Sequence, residues 1–303
     1  MEGKKIIFII AAGKSGSTLL DKALGSHNKC FSMGEISNFE EEVAKEKTLC
    51  GCGQWLKDCN FWNTVKKEIK SHKKIGSIEE FNIRPERKTG IISKLLGLIF
   101  ENKTPYGNTK LLFDIITKIS QRDIIIDSSK SLGRALKLGN YLKKDYQVYY
   151  IHLIRNGKAV LNSDKKKYYH AILPDGTKET IFLDKEIDPI QYIKTWKQIN
   201  HRAIFILKWF IKPQKRYFLK YEDFIEDPKL YLKDICRILN IDFELEMSNL
   251  DNDHNHILGG NASRVTANKI ETKADNTYVN LTQEDLEQFE RIAGRLNKKL
   301  GYK

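Results

Sequence analysis

Near the start of the chain an apolar run, Lys5–Ala11 (KIIFIIA), passes without a break into Ala12-Gly13-Lys14-Ser15-Gly16-Ser17-Thr18-Leu19-Leu20. A short run of β-branched and aromatic residues, apolar at every position, reads as a strand buried on both faces of a parallel sheet. The glycine-broken turn after it carries three hydroxyls and a lysine and opens a helical pattern. Strand passing directly into helix is the repeating unit of a sheet covered on both sides, so this junction commits the chain to an α/β architecture.

The same alternation continues downstream. Strands are predicted at 123–127, Gln147–Ile154 and 216–219, and helices at 18–26, 133–142, Pro189–Phe210, Pro228–Leu239 and 283–300. The predicted strands are spread along the chain, which argues for one domain over residues 1–303. The expected form is a three-layer α/β sandwich around a parallel sheet. Residues 50–118 interrupt the rhythm, with polar loops at 84–90 and an apolar stretch at 91–100, and read as an insertion over the sheet. A second irregular stretch, 165–188, reads as a long functional loop.

Backbone amides at the start of the first helix point outward unpaired, and with Lys14 they form a site for an anion. Lys and Arg outnumber Asp and Glu by 52 to 39, a net charge of +13, which attracts polyanions: a nucleotide, a nucleic acid or an acidic membrane surface. No clustered arginine–aromatic motif for reading bases is present, so no specific nucleic-acid partner is expected. Gly13-Lys14-Ser15 matches the tail of the Walker A loop of kinases that use ATP and magnesium. That loop needs a glycine five residues before its second one, and Phe8 stands there.

The first apolar run is too short for an export signal, and no stretch approaches the roughly 20 apolar residues that span a bilayer. Five cysteines, three of them clustered at Cys50, Cys52 and Cys59, favour reduced thiols and a cytoplasmic location.

Lys14-Ser15-Gly16-Ser17-Thr18-Leu19-Leu20 resembles the 5'-phosphosulfate loop of sulfotransferases that use 3'-phosphoadenosine 5'-phosphosulfate (PAPS). Further matches follow in that family's order. Arg155 followed eight residues later by Ser163 is similar to the family's 3'-phosphate signature, with Asn156 where an acidic residue is usual. Tyr221-Glu222-Asp223, before Asp227-Pro228, resembles the stretch beside the adenine, and Gly259-Gly260-Asn261-Ala262-Ser263-Arg264 resembles a late nucleotide loop of bacterial and carbohydrate-type members. The resemblance implies a nucleotide-kinase-like fold, PAPS as co-substrate, 3'-phosphoadenosine 5'-phosphate as product, and no metal in the transfer. It implies Lys14, Ser15, Gly16, Ser17, Thr18, Leu19, Arg155, Ser163, Tyr221, Gly260, Asn261 and Arg264 as nucleotide contacts.

For the chemistry, Lys14 is the candidate to balance charge on the leaving phosphate, with Ser163 grouped beside it. Gly34-Glu35 stands where tyrosylprotein and many bacterial members carry a glycine–glutamate pair, which implies Glu35 as the base, and no histidine occupies a matching place. Asp127-Ser128-Ser129-Lys130 resembles a family stretch that implies Lys130 at the sulfuryl oxygens or the acceptor, with Asp127 orienting its neighbours. The acceptor hydroxyl would be met by residues 61–119 and 165–184, where Lys165, Lys166, Lys167, Tyr168 and Tyr169 suit a small molecule, a sugar, a lipid headgroup or an acidic peptide. The stretch 91–100 reads either as a lipid-facing lid with peripheral membrane contact or as a buried helix. Acceptor identity and oligomeric state have no signature in the sequence.

Cys50-Gly51-Cys52-Gly53, Cys59 and Phe61-Trp62 resemble an element of the bacterial branch. The thiols pack in the interior, bind zinc with a fourth ligand such as His72, or form a local disulfide; these alternatives stay open. His254 and His256, two apart in a loop without companions, do not read as a metal pair.

Overall fold

A computed structural model of the protein describes residues 3–45, 48–73, 78, 81, 83, 104–166, 168–173, 175, 177–182, 188–250, 255–271 and 278–302. The chain runs β1 (Lys5–Ala11), α1 (Ser17–Gly25), β2 (Cys30–Ser32), α2 (Phe39–Ala44), α3 (Asn60–Lys73), α4 (Thr104–Ser120), β3 (Ile124–Lys130), α5 (Leu132–Leu142), β4 (Gln147–Ile154) and α6 (Gly157–Asp164). It continues through β5 (Tyr168–Ile172), β6 (Lys178–Phe182), α7 (Pro189–Phe210), β7 (Arg216–Lys220), α8 (Tyr221–Glu226), α9 (Pro228–Leu239), α10 (Glu246–Asn249) and α11 (Ser263–Thr266). It ends in α12 (Gln283–Phe289), a π-helical turn (Glu290–Gly294) and α13 (Arg295–Lys299).

Five strands form one all-parallel sheet in the order β2-β3-β1-β4-β7. Every residue of β1 is buried, because the strand is central and both its faces are covered. Side chains alternate between faces: Ile6, Phe8 and Ile10 join a core with residues of α3, α4 and α5, whereas Ile7, Ile9 and Ala11 join a core with α1 and α9. Each fully buried isoleucine contributes about 1.5–3 kcal/mol of transfer free energy. A third cluster joins α6, α7 and the C-terminal helices through Val160, Leu161, Trp196 and Phe289. The result is the expected α/β sandwich: helices, parallel sheet, helices.

The departures have physical causes. β2, only three residues long, escapes a pattern search, and β3 runs on through Ser128, Ser129 and Lys130, whose polar side chains ended the predicted strand early. Residues 50–118 contain α3 and α4, and their buried Trp62, Val65, Ile69, Leu112 and Phe113 belong to the core on the Phe8 face. The stretch 165–188 contains an antiparallel hairpin, β5 with β6. The 84–90 loops and the apolar stretch 91–100 lie outside the described residues. Among the described residues no helix is long and apolar enough to cross a membrane.

The connections set the site. The chain leaves β1 toward β2 but leaves β4 toward β7, on opposite sides of the sheet's middle. Such a reversal opens a crevice at the carboxyl ends of two adjacent strands, here β1 and β4.

Candidate active site at the carboxyl ends of the strands

The turn after β1 ends at Gly16, which stands at the start of α1 with φ 88°. A Cβ at this position would overlap the Tyr221 ring, so a side chain is excluded on steric as well as backbone grounds. No side chain caps α1, and no acidic residue sits in its first turn, so its amides and positive dipole end face the crevice uncompensated. The Ser15 hydroxyl is buried, with no partner among the described residues. Orphaned donors around a helix start are the chemistry of a phosphate or sulfate cradle.

Arg155 closes the other side. It follows β4, and its Nη1 donates to the Lys14 carbonyl at 2.9 Å. Its guanidinium stacks over the Tyr221 ring, 4.6 Å from the centroid, and its buried Nε has no partner among the described residues. Burial pushes the Tyr221 phenol up, against the pull of the Arg155 charge. The Arg155 carbonyl accepts from Trp196 Nε1 at 3.3 Å, and Tyr192 donates to the Gly13 carbonyl at 3.3 Å, so α7 braces both strand ends. Asn156 caps α6 by accepting from Lys158 N at 3.0 Å, and its amide donates to Tyr278 Oη at 2.9 Å. An aspartate would cap equally well and could accept from the Tyr278 hydroxyl instead, so nothing in these contacts explains the departure from the acidic residue usual here. Ser163 lies half-buried on α6.

A second group of residues adjoins α1. Glu35 and Lys130, both half-buried, form an ion pair, and Lys130 holds a left-handed backbone with φ 68°. The Glu35 amide donates to Leu258 O at 2.7 Å. Thr18 Oγ1 accepts from Asn261 N at 3.2 Å. Gly260, at φ 81°, sits so close that a Cβ there would lie 2.9 Å from Thr18 Oγ1 and 3.5 Å from Glu35 Oε1. Thr18, one residue past the loop's last serine, thereby connects the phosphate loop with the Glu35–Lys130 pair. Arg264 donates to the carbonyls of Leu49, Gly260 and Asn261, each at 3.1 Å, so its fork is engaged in holding the loop 255–264. Leu19 packs against the α1-side core, and Ser17 is buried.

Beneath this group lies a polar layer whose Asp21 sequence reasoning missed. Asp21 on α1 is fully buried and accepts from the hydroxyls of Ser32 and Ser128, the latter at 2.6 Å. Burial pushes its carboxyl up to about 7. Asp127 accepts from Arg134 in a buried ion pair and from Ser129 N at 2.9 Å, fixing the end of β3. The available signal was an acid one helical turn past Thr18. The thiols of Cys50, Cys52 and Cys59 meet His256; His72 is exposed on α3, with Nδ1 3.0 Å from its own helix's Glu68 carbonyl. His254 lies outside the described residues.

Comparison with known proteins agrees with this geometry. The model of the Sulfotransferase family matches residues 7–245. Among solved structures, the sulfotransferase domain from the curacin biosynthetic pathway aligns over 99% of this chain and 98% of its own, with 18% identity and a TM-score of 0.59. The sulfotransferase domain of the Synechococcus PCC 7002 olefin synthase covers 100% and 98%, with 19% identity and a TM-score of 0.56. Sulfotransferase STF9 from Mycobacterium avium covers 100% and 78%, with 11% identity and a TM-score of 0.51. No curated protein sequence matches significantly. A family match over most of the length, on a fold shared with sulfotransferase domains and around an anion cradle at the β1–β4 crevice, means that the chain belongs to the sulfotransferase family.

Proposed function

We propose that the protein moves the sulfuryl group of PAPS onto an acceptor hydroxyl and releases 3'-phosphoadenosine 5'-phosphate. The observation that carries this reading is the bond from Arg155 to the Lys14 carbonyl, which joins two anion-binding groups 141 residues apart at one crevice. A nucleotide charged at both its 5' and 3' positions suits that pairing. The α1 amides, Ser15, Ser17 and Lys14 would take the 5' side; Arg155 with Ser163 would take the 3'-phosphate. Tyr221 would flank the adenine, and Gly260, Asn261 and Arg264 would close the far side.

When bound, PAPS supplies the sulfuryl group and a phosphate leaving group. Transfer of this kind asks the protein for positioning, charge stabilisation and a base, by analogy with phosphoryl transfer. Glu35 takes the acceptor's hydroxyl proton as the new oxygen–sulfur bond forms and the sulfur–phosphate oxygen bond breaks. Lys130, paired with Glu35, holds the carboxylate in place and lies ready for the sulfuryl oxygens. Lys14 balances the charge arriving on the leaving phosphate. The acceptor is a small-molecule, glycan or lipid hydroxyl, received beside the hairpin β5–β6, where Tyr168 and Phe182 are exposed. The free thiols of all five cysteines suit a reducing, cytoplasmic setting.

The test follows radiolabelled sulfate from PAPS to a panel of hydroxyl compounds, with Glu35→Gln as the comparison. Expected are unchanged 3'-phosphoadenosine 5'-phosphate affinity and turnover lowered about 10²–10⁴-fold in the variant. Unaltered turnover would remove Glu35 from the mechanism.

A further inference from the structure

Beside the reaction centre, three thiols and an imidazole converge from two distant parts of the chain. Cys50 and Cys52 lie in a turn closed by the Leu49–Trp55 bridge and by Gly53 N donating to Cys50 O at 3.0 Å. Cys59 precedes α3, where its carbonyl accepts from Asn63 N at 2.9 Å. His256 arrives from the segment leading to Gly259 and Gly260. All four potential ligand atoms lie within 4.8 Å of one another.

Three of their six separations match the edges of a coordination tetrahedron. With metal–sulfur bonds of about 2.3 Å and a metal–nitrogen bond of about 2.0–2.1 Å, tetrahedral edges are about 3.8 Å between sulfurs and about 3.5 Å from sulfur to nitrogen. Cys52 Sγ is 3.9 Å from Cys59 Sγ, and His256 Nδ1 is 3.6 Å from Cys50 Sγ and 3.4 Å from Cys59 Sγ. A disulfide needs about 2.05 Å, and none of the cysteines is bonded. The imidazole is also held in place: Phe61 stacks on it at 4.8 Å and 8°, and Trp62 Nε1 donates to the His256 carbonyl at 2.9 Å. Soft thiolates with one imidazole select zinc among the divalent ions, and four protein ligands leave no open position for catalysis.

We propose that Cys50, Cys52, Cys59 and His256 bind one structural zinc ion that fastens the loop 255–264 to the reaction centre. The loop's bonds run to both sides. Toward the cysteine turn, Gly51 N donates to Ile257 O at 3.0 Å, Asn255 Nδ2 donates to Gly51 O at 2.9 Å, and Arg264 donates to Leu49 O at 3.1 Å. Toward the site, Leu258 N donates to Met33 O at 3.2 Å and Leu258 O accepts the Glu35 amide. The ion therefore holds the segment from which Glu35, Gly260 and Asn261 take their positions. Its role is structural and separate from the sulfuryl donor and the transfer step.

The experiment is elemental analysis of the full chain purified without chelator, followed by exchange into cobalt(II). Expected are about one zinc per chain and, with cobalt, the intense visible bands and thiolate charge-transfer band of a tetrahedral sulfur-rich site. His256→Ala and Cys59→Ser are each expected to lower bound zinc at least about fivefold. Should the variants fail to fold, the cobalt spectrum and a thiol count of the unaltered protein decide the matter. Zinc-free protein giving no such spectrum, zinc retained by both variants, or a disulfide that leaves three titratable thiols of the five cysteines in denaturant would each overturn the assignment.

Discussion

Lys14 and Lys130 share an unusual backbone, with φ 60° and φ 68°, in the left-handed region that residues with a Cβ enter at a cost of about 1–3 kcal/mol. Lys14 lies in the turn after β1 and Lys130 ends β3, so under the proposed mechanism both strained turns carry a charge that the transfer uses. Lys14→Gly separates the two contributions, since glycine accepts the backbone and removes the ammonium. Turnover is expected to fall about 10²–10³-fold, with a melting temperature equal to or above that of the unaltered protein. Turnover within threefold would deny Lys14 its role in charge balance. Lys14, Glu35, Lys130 and Arg155 could be singled out as candidates from the sequence because each stands in a local motif. Asp21 and His256 were not: their partners lie 107 residues away at Ser128 and 206 away at Cys50, beyond any local pattern.

Strands and helices were legible where a long run or a clear period marks them, and burial alone did not suffice, since the fully buried three-residue β2 escaped. β1 and β4 carry apolar residues on both faces, and their predicted limits match. The C-terminal helix follows its predicted span but contains the π turn Glu290–Gly294, where one extra residue shifts the facing set. β4 also carries a polar residue into the core. His152 is buried, with Nε2 3.0 Å from Asn200 Oδ1 of α7, and burial pushes its imidazole down to about 4. Here the folded state resists protonation that the unfolded state accepts below about 6.5, so stability present above that pH is lost as pH falls toward 4. Between pH 6.5 and pH 5 the loss from this group is about 2 kcal/mol. Urea unfolding of the protein and of His152→Asn at pH 7 and pH 5 checks it: the unaltered protein should lose about 2 kcal/mol more than the variant. Equal losses would show that His152 is protonated as readily inside as outside.

Across the molecule, the α/β class and the parallel sheet follow from the alternation that begins at Lys5–Ala11, whereas the strand order does not. That order, β2-β3-β1-β4-β7, brings the end of β4 beside the end of β1 and, with right-handed crossovers, decides which face each connecting helix covers. The pairing of Arg155 with the Lys14 turn is thus a product of topology, and sequence motifs 141 residues apart only hinted at it. The proposed nucleotide, held from the Lys14 turn on one side and from Arg155 on the other, must carry charge at both ends. Calorimetric titration with 3'-phosphoadenosine 5'-phosphate and with ATP, without magnesium or chelator, puts the requirement to the protein. The bisphosphate should bind at least about tenfold more tightly than ATP, and Arg155→Ala should weaken it about 10–100-fold, the loss of charge-assisted hydrogen bonds. Tighter binding of ATP, or Arg155→Ala leaving the bisphosphate's affinity unchanged, would contradict a nucleotide gripped at both ends.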